Sequence, residues 1–351
     1  MATYELMYVA RANQPSGPPS FDELWEIPGG KSWTGRLRHP GELQAGVPLR
    51  SIPESLKERL LYPAQWPAEL WLRRDGVKVQ AGPYLGWQAQ GRKTLTLHAV
   101  GLLGYLEGMW LTANLTFTQA DRFTIARQLV EHWQNLSYGH FGIYTDQIGT
   151  SGALHTVAYA AAERHNVWQK LSELAAAEDG FDFRVDPQTR HLMLDHPQAG
   201  VDRSENVVLD VHNIAEASAT TSIAPGDFAS EIYATGTGGG SATLVSQQTN
   251  LDVRTRWGRW GTSATFDGVT SQATLDGYAR VHLSARDREL FVPPGKIIPV
   301  PDADVDDFAI GDTVGYAYDV GLGLQVGSLR VPERTVSIDP DGGETMTVKA
   351  A

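Results

Sequence analysis

The chain has 351 residues, enough for two or three domains, and its shares of hydrophobic (42%) and charged (20%) residues are those of a chain that folds. Its 29 basic and 41 acidic side chains give a net charge of −12, which argues against a DNA- or RNA-gripping surface, because such binding neutralises phosphates with cations. The absence of cysteine excludes disulfides and thiolate metal sites.

Neither the amino end nor the most apolar run resembles a targeting or membrane segment. The first twenty residues lack a basic stretch followed by an apolar one, so we expect no secretion signal. The run at 98–111 is short, contains Glu107 and is broken by three glycines. We therefore expect no membrane-spanning segment.

The first hundred or so residues are predicted to be β-structure with loops. The proline-rich stretch at 39–55 is predicted to be an irregular connection. Asp75-Gly76 separates two alternating runs and predicts a hairpin with a type I′ turn. A strand follows at 93–100, with Leu95, Leu97 and Ala99 on one face.

Two helices and a hairpin are predicted in the middle of the chain. Thr118 and Asp121 are spaced as a capping box for the first helix, and Asn166 and Gly180 are the expected N-cap and left-handed C-terminal residue of the second. Alternation on both sides of Asp186-Pro187 predicts the hairpin. The predicted buried faces of the helices are Ile125, Ala126, Leu129, Val130 and Trp133, then Trp168, Leu171, Leu174 and Ala175.

Strands return from about residue 205. They are predicted at 206–214, 230–236 and 242–248, and again towards the carboxyl end, where a turn at 339–343 precedes a last strand. A helix is predicted near 270–286, with Leu275, Tyr278, Ala279 and Leu283 buried. The fold class is therefore mixed and β-rich (α+β), in the order β, then α+β, then β.

The segment "ATGTGGGS" at 234–241 resembles a phosphate cradle at first sight. A cradle needs a helix after the glycines, because backbone N–H groups at the helix start hold the anion. Here the following residues favour a second strand, and the third glycine of G-x-G-x-x-G is absent. We predict a hairpin loop and no bound cofactor.

No local motif indicates catalysis or a metal site. The histidines form no H-E-x-x-H, and no G-x-S-x-G occurs. In the acidic run 301–312, Asp302, Asp304 and Asp306 alternate as in a calcium loop, but Asp307 and Thr313 occupy positions where an EF-hand has glycine and glutamate. A solvated acidic loop is expected, with an irregular cation site as the alternative. Two catalytic carboxylates that folding brings together leave no local sequence motif. A glycosidase activity therefore remains an alternative.

One segment combines tryptophan with arginine. In "RTRWGRWG" Arg254, Arg256 and Arg259 alternate with Trp257 and Trp260. These residue types are enriched in interface hot spots, so we predict a clamp between subunits or domains. The alternative is a surface that stacks on bases or glycans.

In this order, the segments resemble hub-type minor tail proteins of long-tailed (siphovirus) phages, the tail-associated or baseplate-hub-like family. The resemblance covers roughly residues 40–351, and the shared order carries it rather than any single motif. The segments that carry it are "LWLRRDGVKVQAGPYLGW", "FTQADRFTIARQLV", "NVWQKLSELAAAEDGFDFRVD", "EIYATGTGGG" and "FAIGDTVGYAYD … RVPERTVSIDPDGGETMTVKA".

The resemblance implies two β-barrel-like hub (tube) domains, at 1–112 and 205–351, with an inserted α+β domain at 113–204. It implies a homotrimeric, non-enzymatic ring in the virion, at the tail tip, assembled in the host cytoplasm. Distal tail and tail-tube proteins would lie above it and fibre or spike proteins below it. Phage DNA would pass through the lumen without specific binding.

The carboxyl end adds a further expectation. Larger members of the family carry lytic or receptor-binding extensions, whereas this sequence stops after its last predicted strand, so we expect lytic activity to belong to another protein. The alternative function is a cell-wall-degrading or glycan-binding protein of the tail tip.

Overall fold

The computed structural model describes residues 2–349, apart from 92, 178, 211, 215–219, 225, 238–242, 267–268, 270, 288–289, 293–295, 298–303 and 320–323. The helices are α1 (Glu54–Leu61), α2 (Gly104–Glu107), α3 (Arg122–Gln134), α4 (Val167–Ala175), α5 (Leu251–Trp257) and α6 (Gln272–Ser284), with 3-10 turns at Leu49–Ser51 and Ala161–Glu163.

The strands outnumber the helices, which confirms the predicted β-rich class. In chain order they are β1 (Tyr4–Ala12), β2 (Ser20–Glu26), β3 (Lys31–Arg36), β4 (Glu42–Pro48), β5 (Ala68–Arg74), β6 (Val77–Gln90), β7 (Thr94–Val100), β8 (Leu115–Asp121), β9 (Leu154–Tyr159), β10 (Asp182–Val185), β11 (Leu192–Asp195), β12 (Val208–Asp210), β13 (Thr220–Ser222), β14 (Glu231–Thr235), β15 (Val245–Thr249), β16 (Gly261–Thr265), β17 (Leu290–Val292), β18 (Lys296–Ile297), β19 (Thr313–Asp319), β20 (Leu324–Arg330), β21 (Glu333–Ile338) and β22 (Glu344–Lys349).

Two compact units divide the chain. The first comprises residues 1–172, 181–216 and 295–351, and the second comprises 173–180 and 217–294. These units do not coincide with the predicted segments 1–112, 113–204 and 205–351, because β21, near the carboxyl end, pairs with β3 along its whole length. The predicted division into two hub domains and an insertion therefore stays a prediction.

A ten-stranded sheet organises the first unit. Its order is β18-β22-β21-β3-β4-β7-β6-β5-β1-β2, so among the described residues the strands form an open sheet rather than a closed barrel. Alternate side chains pack into one continuous core because successive residues of a strand point to opposite faces. The largest fully buried members of that core include Leu6, Tyr8, Leu43, Leu70, Leu72 and Leu97.

The same unit contains three smaller sheets. They are the pairs β8-β9 and β10-β11 and the three-stranded sheet β12-β19-β20. Asp182 of β10 is 1% exposed and accepts hydrogen bonds from Arg38 Nε and Ala199 N, both at 2.8 Å, and from Arg330. One buried carboxylate thus ties together parts of all three predicted segments.

A second buried carboxylate lies on β5. Glu69 is fully buried and accepts two hydrogen bonds from the guanidinium of Arg190, at 2.8 and 3.0 Å. Trp71 Nε1 and the Tyr105 hydroxyl also donate to it, both at 2.7 Å. Arg190 Nε donates in turn to Gly142 O at 2.8 Å. This network joins the ten-stranded sheet to the turn between β10 and β11.

The second unit is a small α/β arrangement. Its three-stranded sheet has the order β15-β14-β16, with β14 and β16 parallel, and the pair β13-β17 lies apart from it. Ile232 and Ala234 of β14 pack against α6 through Leu275, Ala279 and Leu283. The predicted helix near 270–286 and the burial of its apolar stripe are confirmed.

Several local predictions are confirmed, and three are wrong. Asp75 and Gly76 both have positive φ, as a type I′ turn requires. The stretch at 39–55 is not irregular, because it contains β4, with Leu43 and Val47 buried, and the start of α1.

The other two corrections concern helix ends. Asp121 is itself the N-cap of α3, accepting from Phe123 N at 2.9 Å, while Thr118 lies in β8, so no capping box forms. The left-handed residue after α4 is Asp179 rather than Gly180. Gly180 is needed for a close approach instead, since a Cβ there would lie 2.1 Å from Ala175 O.

In the part of the chain that the structure describes, no helix has both the length and the apolar character that crossing a membrane requires.

Candidate functional site

The predicted tryptophan and arginine clamp lies in the second unit, at α5 and the turn after it. Asn250 caps α5 by accepting from Asp252 N at 3.1 Å and Val253 N at 3.2 Å. The helix ends at Trp257, and its C-cap Gly258 has a φ of 78°, which glycine adopts readily. The segment is therefore a short helix whose last turn presents Trp257, followed by Arg259 and Trp260 on the way into β16.

Two of the three arginines converge on a carboxylate that the sequence did not single out. Arg259 Nε lies 3.4 Å and Arg254 Nη1 3.8 Å from Glu231 Oε2 on β14, and the Glu231 side chain is 3% exposed. The Tyr233 hydroxyl donates to Glu231 Oε1 at 2.7 Å. This hydrogen bond and the two guanidiniums hold the pKa of Glu231 below its usual range. Arg254 and Arg259 are thus engaged inside their own unit.

Tyr233 reaches Glu231 because β16 has a glycine beside it. A Cβ at Gly261 would lie 3.3 Å from the Tyr233 ring, so the ring extends closely across Gly261. Glu231 and Tyr233 occupy the face of the sheet opposite the one that packs on α6, since Ile232 and Ala234 point to α6. The carboxylate cluster therefore lies on the face of this sheet opposite α6.

Trp257 and Arg256 remain at the surface. Trp257 is 45% exposed, and its inner edge packs on buried Phe228 with the rings 5.7 Å apart and nearly perpendicular. Arg256 is exposed, and its Nε donates to Asp252 O at 3.4 Å. These two side chains have the area and charge that a neighbouring surface could contact.

Trp260 has a different environment. It is half-buried, its backbone N donates to Ser230 Oγ at 2.8 Å, and its carbonyl accepts from Ser230 N at 2.8 Å. These bonds attach the segment to the start of β14. Of the five predicted residues, Arg254 and Arg259 come together on Glu231, whereas Trp257 and Arg256 face outwards and Trp260 lies between the two environments.

Sequence reasoning missed Ser230, Glu231 and Tyr233. The signal was the alternation of Glu231, Tyr233 and Thr235 along β14, which placed a carboxylate and a phenol on one face. What could not be seen was that the next crossover would return Arg254 and Arg259 to that face, because the contact spans more than twenty residues.

The glycine segment and the acidic run have other surroundings. Gly236 N donates to Leu244 O at 2.9 Å, where β14 is followed by the antiparallel strand β15. This confirms the predicted second strand, although residues 238–242 lie outside the described part.

The acidic run 301–312 is described only in part, and Asp302 lies outside the described residues. Asp306 binds Arg74, and Asp304 lies 3.9 Å from the same guanidinium. No group of three metal-ligating side chains occurs among the described residues.

Comparison with solved structures shows that tail proteins have a fold similar to that of this chain. A tail protein from Neisseria meningitidis MC58 matches with a TM-score of 0.60 and 14% identity over 98% of this chain and 96% of that one. The prophage MuSo2 43 kDa tail protein from Shewanella oneidensis matches with a TM-score of 0.62 and 13% identity over 99% and 97%. Prophage tail protein gp18 from Listeria monocytogenes EGD-e matches with a TM-score of 0.58 and 13% identity over 98% and 94%.

The chain has the fold of these phage tail proteins. No protein-family model and no curated protein matches it. The expected likeness to tail proteins is confirmed in the fold and extends over nearly the whole chain, including the first forty residues, which the sequence resemblance did not cover. The phage tail fold therefore includes both the ten-stranded sheet and the smaller unit that carries Trp257.

Proposed function

We propose that the chain is a structural minor tail protein of a phage virion and forms the distal hub of the tail. In this role three copies make a ring that continues or closes the tail tube, and the protein catalyses no reaction. The observation that supports the proposal most strongly is that three solved tail proteins share the fold of this chain over 98–99% of its length.

The partners follow from that position. Distal tail and tail-tube proteins would contact the ring on one side, and fibre or spike proteins on the other, at the tail tip of a virion assembled in the host cytoplasm. DNA would pass through the lumen without specific binding. The net charge of −12 supports this part of the proposal, since an acidic surface repels phosphates. A pseudo-sixfold ring would need two tube-like β domains in each chain.

Mass photometry of the purified protein tests the assembly. We expect a species three times the 38.3 kDa mass of one chain. A stable monomer at every concentration, together with the absence of a ring in purified tails, would exclude the trimeric hub.

We propose that Trp257 and Arg256 contact a neighbouring subunit or domain, whereas Arg254, Arg259 and Trp260 hold that surface in place. Replacing Trp257 with alanine, alone and with Trp260→Ala, should weaken trimer formation by about 2–4 kcal/mol, the loss typical of interface tryptophans. Mass photometry over a dilution series measures the change in trimer formation. The melting temperature of the dissociated chain measures how much stability is lost when Trp257 no longer packs on Phe228.

Trp110→Ala is the matched control for this prediction. Trp110 has the same exposed fraction, 45%, but lies in the first unit near the start of α4. We expect its replacement to leave the trimer intact. An unchanged trimer in Trp257→Ala together with lost glycan binding would instead favour the glycan-binding alternative.

A further inference from the structure

The sheet edges of this chain differ in how they are protected against pairing with another strand. An edge strand exposes unpaired N–H and C=O groups, and proteins usually protect it with charges, prolines, bulges or short length. β2, one edge of the ten-stranded sheet, carries Asp22, Glu23 and Glu26 and pairs with β1 through a bulge. Among the described residues β18, the other edge, spans Lys296–Ile297. The β2 edge of that sheet is thus protected.

β20 lacks these protections except at its last residue, Arg330, which pairs with Asp182. It is the edge strand of the sheet β12-β19-β20, and its register with β19 is continuous over seven residues, without a bulge. From Leu324 to Leu329 it has no ionisable residue and no proline. Leu324 is 67% and Val326 69% exposed, while Leu329 on the opposite face is in the core. A long, regular, apolar edge of this kind favours an added strand.

β16, in the second unit, is a second open edge. It ends the sheet β15-β14-β16, and its five residues, Gly261–Thr265, include no charge and no proline. Gly261, Ser263 and Thr265 are exposed. The opposite edge, β15, is partly covered, since Gln272 Nε2 donates to Val245 O at 3.0 Å. Among the described residues of this unit, β16 is therefore the more open edge of the sheet.

The charge of the chain indicates what covers these strands. Two copies with a net charge of −12 each repel one another, so pairing between them is favoured along strands that carry no ionisable residue themselves. β20 up to Leu329 and the whole of β16 are two such stretches. Because they are different strands on one chain, their pairing is heterologous, and a heterologous contact generates a ring when the rotation closes.

We propose that β20 of one copy pairs through backbone hydrogen bonds with β16 of the next copy, so that three such pairings close the ring. The inference rests on the proposed trimeric hub and adds the strands that join its subunits. Each subunit contributes both edges, so a closed ring leaves neither strand unpaired. The apolar side chains of Leu324 and Val326 are then covered by the neighbouring copy.

Cysteine crosslinking tests the pairing directly, because the chain has no cysteine of its own. Ser328→Cys on β20 and Ser263→Cys on β16 change exposed serines of the two edges. With a short bis-maleimide, the variant carrying both cysteines should give covalent dimers and trimers. An equal mixture of the two single variants should give dimers only, and each single variant alone should give none.

Two outcomes would overturn the pairing. Crosslinks in Ser328→Cys alone would show that β20 meets its own copy, and an intact trimer without crosslinks in the double variant would show that other surfaces join the subunits. The second outcome leaves the proposed hub standing. If the unmodified protein forms no trimer and no ring in tails, the hub and the pairing both fail.

A charge on the edge gives an independent test. Val326→Lys places an ammonium on β20, and we expect the trimer dissociation constant to rise at least about tenfold while the far-ultraviolet circular dichroism of the chain stays unchanged. Val77→Lys is the control, because Val77 is 55% exposed but lies on β6, which pairs on both sides. A Val326→Lys trimer as stable as the unmodified one would contradict the proposal.

Discussion

Replacing Arg190 with alanine is expected to lower the free energy of unfolding by about 3–5 kcal/mol, because it leaves Glu69 as an unpaired charge in the interior. Glu69 is fully buried and receives two of its four hydrogen bonds from Arg190. Trp71 and Tyr105 can still donate to the carboxylate, but they carry no charge to compensate it. Urea denaturation followed by tryptophan fluorescence measures the loss.

Arg184→Ala is the matched control for Arg190→Ala. Arg184 forms an ion pair with Asp195 across the same hairpin, but the two side chains are 38% and 31% exposed. Exposed pairs contribute about 0–1 kcal/mol, so the control should lose little stability. Equal losses in the two variants would show that the buried network contributes no more to stability than an exposed ion pair.

The same pair predicts a pH dependence with a defined sign. Burial alone would raise the pKa of Glu69. The hydrogen bonds from Arg190, Trp71 and Tyr105, together with the charge of Arg190, outweigh burial and hold this pKa below its usual range. A carboxyl with a lowered folded-state pKa stabilises the protein above its ordinary pKa and loses this contribution as the pH falls through the folded value. In Arg190→Ala burial is no longer offset by Arg190, so Glu69 takes up its proton at a higher pH than in the unmodified protein. The stability difference between the two should therefore begin to shrink above the ordinary glutamate pKa of about 4 and continue to shrink below it.

The second large effect is expected at Arg334 of β21. This guanidinium is 7% exposed and donates through Nη1 to Val305 O at 2.7 Å and Phe308 O at 2.5 Å. Its Cζ lies 5.5 Å from the Trp33 ring centroid and 5.4 Å from that of Phe308. Burial lowers the pKa of Arg334 to about 10, because the interior disfavours the charged guanidinium. Arg334 thus binds the loop 304–308 to the sheet.

Arg334→Ala should cost about 2–4 kcal/mol, because two buried carbonyls lose their donor and the aromatic rings lose a packing partner. Arg334→Met keeps most of the apolar contact and removes the donors, so its loss should lie between those of alanine and the unmodified protein. Hydrogen exchange at 304–309 should rise in both variants. A methionine variant with full stability and unchanged exchange would show that the carbonyl bonds contribute nothing.

Local features of this fold could be predicted from sequence, because they depend on neighbouring residues. The turn at Asp75-Gly76 needs two residues that accept positive φ, and the chain provides them. The apolar stripe of α6 identified its buried face for the same reason. The stretch containing β4 was misjudged because its glycines and prolines outweighed the alternation of Leu43, Ala45 and Val47, which the sheet buries.

Long-range pairings could not be predicted. β21 and β3 are separated by almost the whole chain, and neither strand has a sequence feature from which its pairing partner could be predicted. Glu231 was likewise an ordinary strand residue until the crossover brought Arg254 and Arg259 towards it. The sequence resemblance gave the tail-protein fold through the order of its segments, which is a property of the whole chain rather than of any one site.

The trimeric hub can be tested directly by cryo-electron microscopy of the intact particle. We expect a threefold ring at the distal end of the tail tube, with three copies of this chain around an open channel. Density for the chain elsewhere in the virion, or copies at the tail tip that form no closed threefold ring, would contradict it.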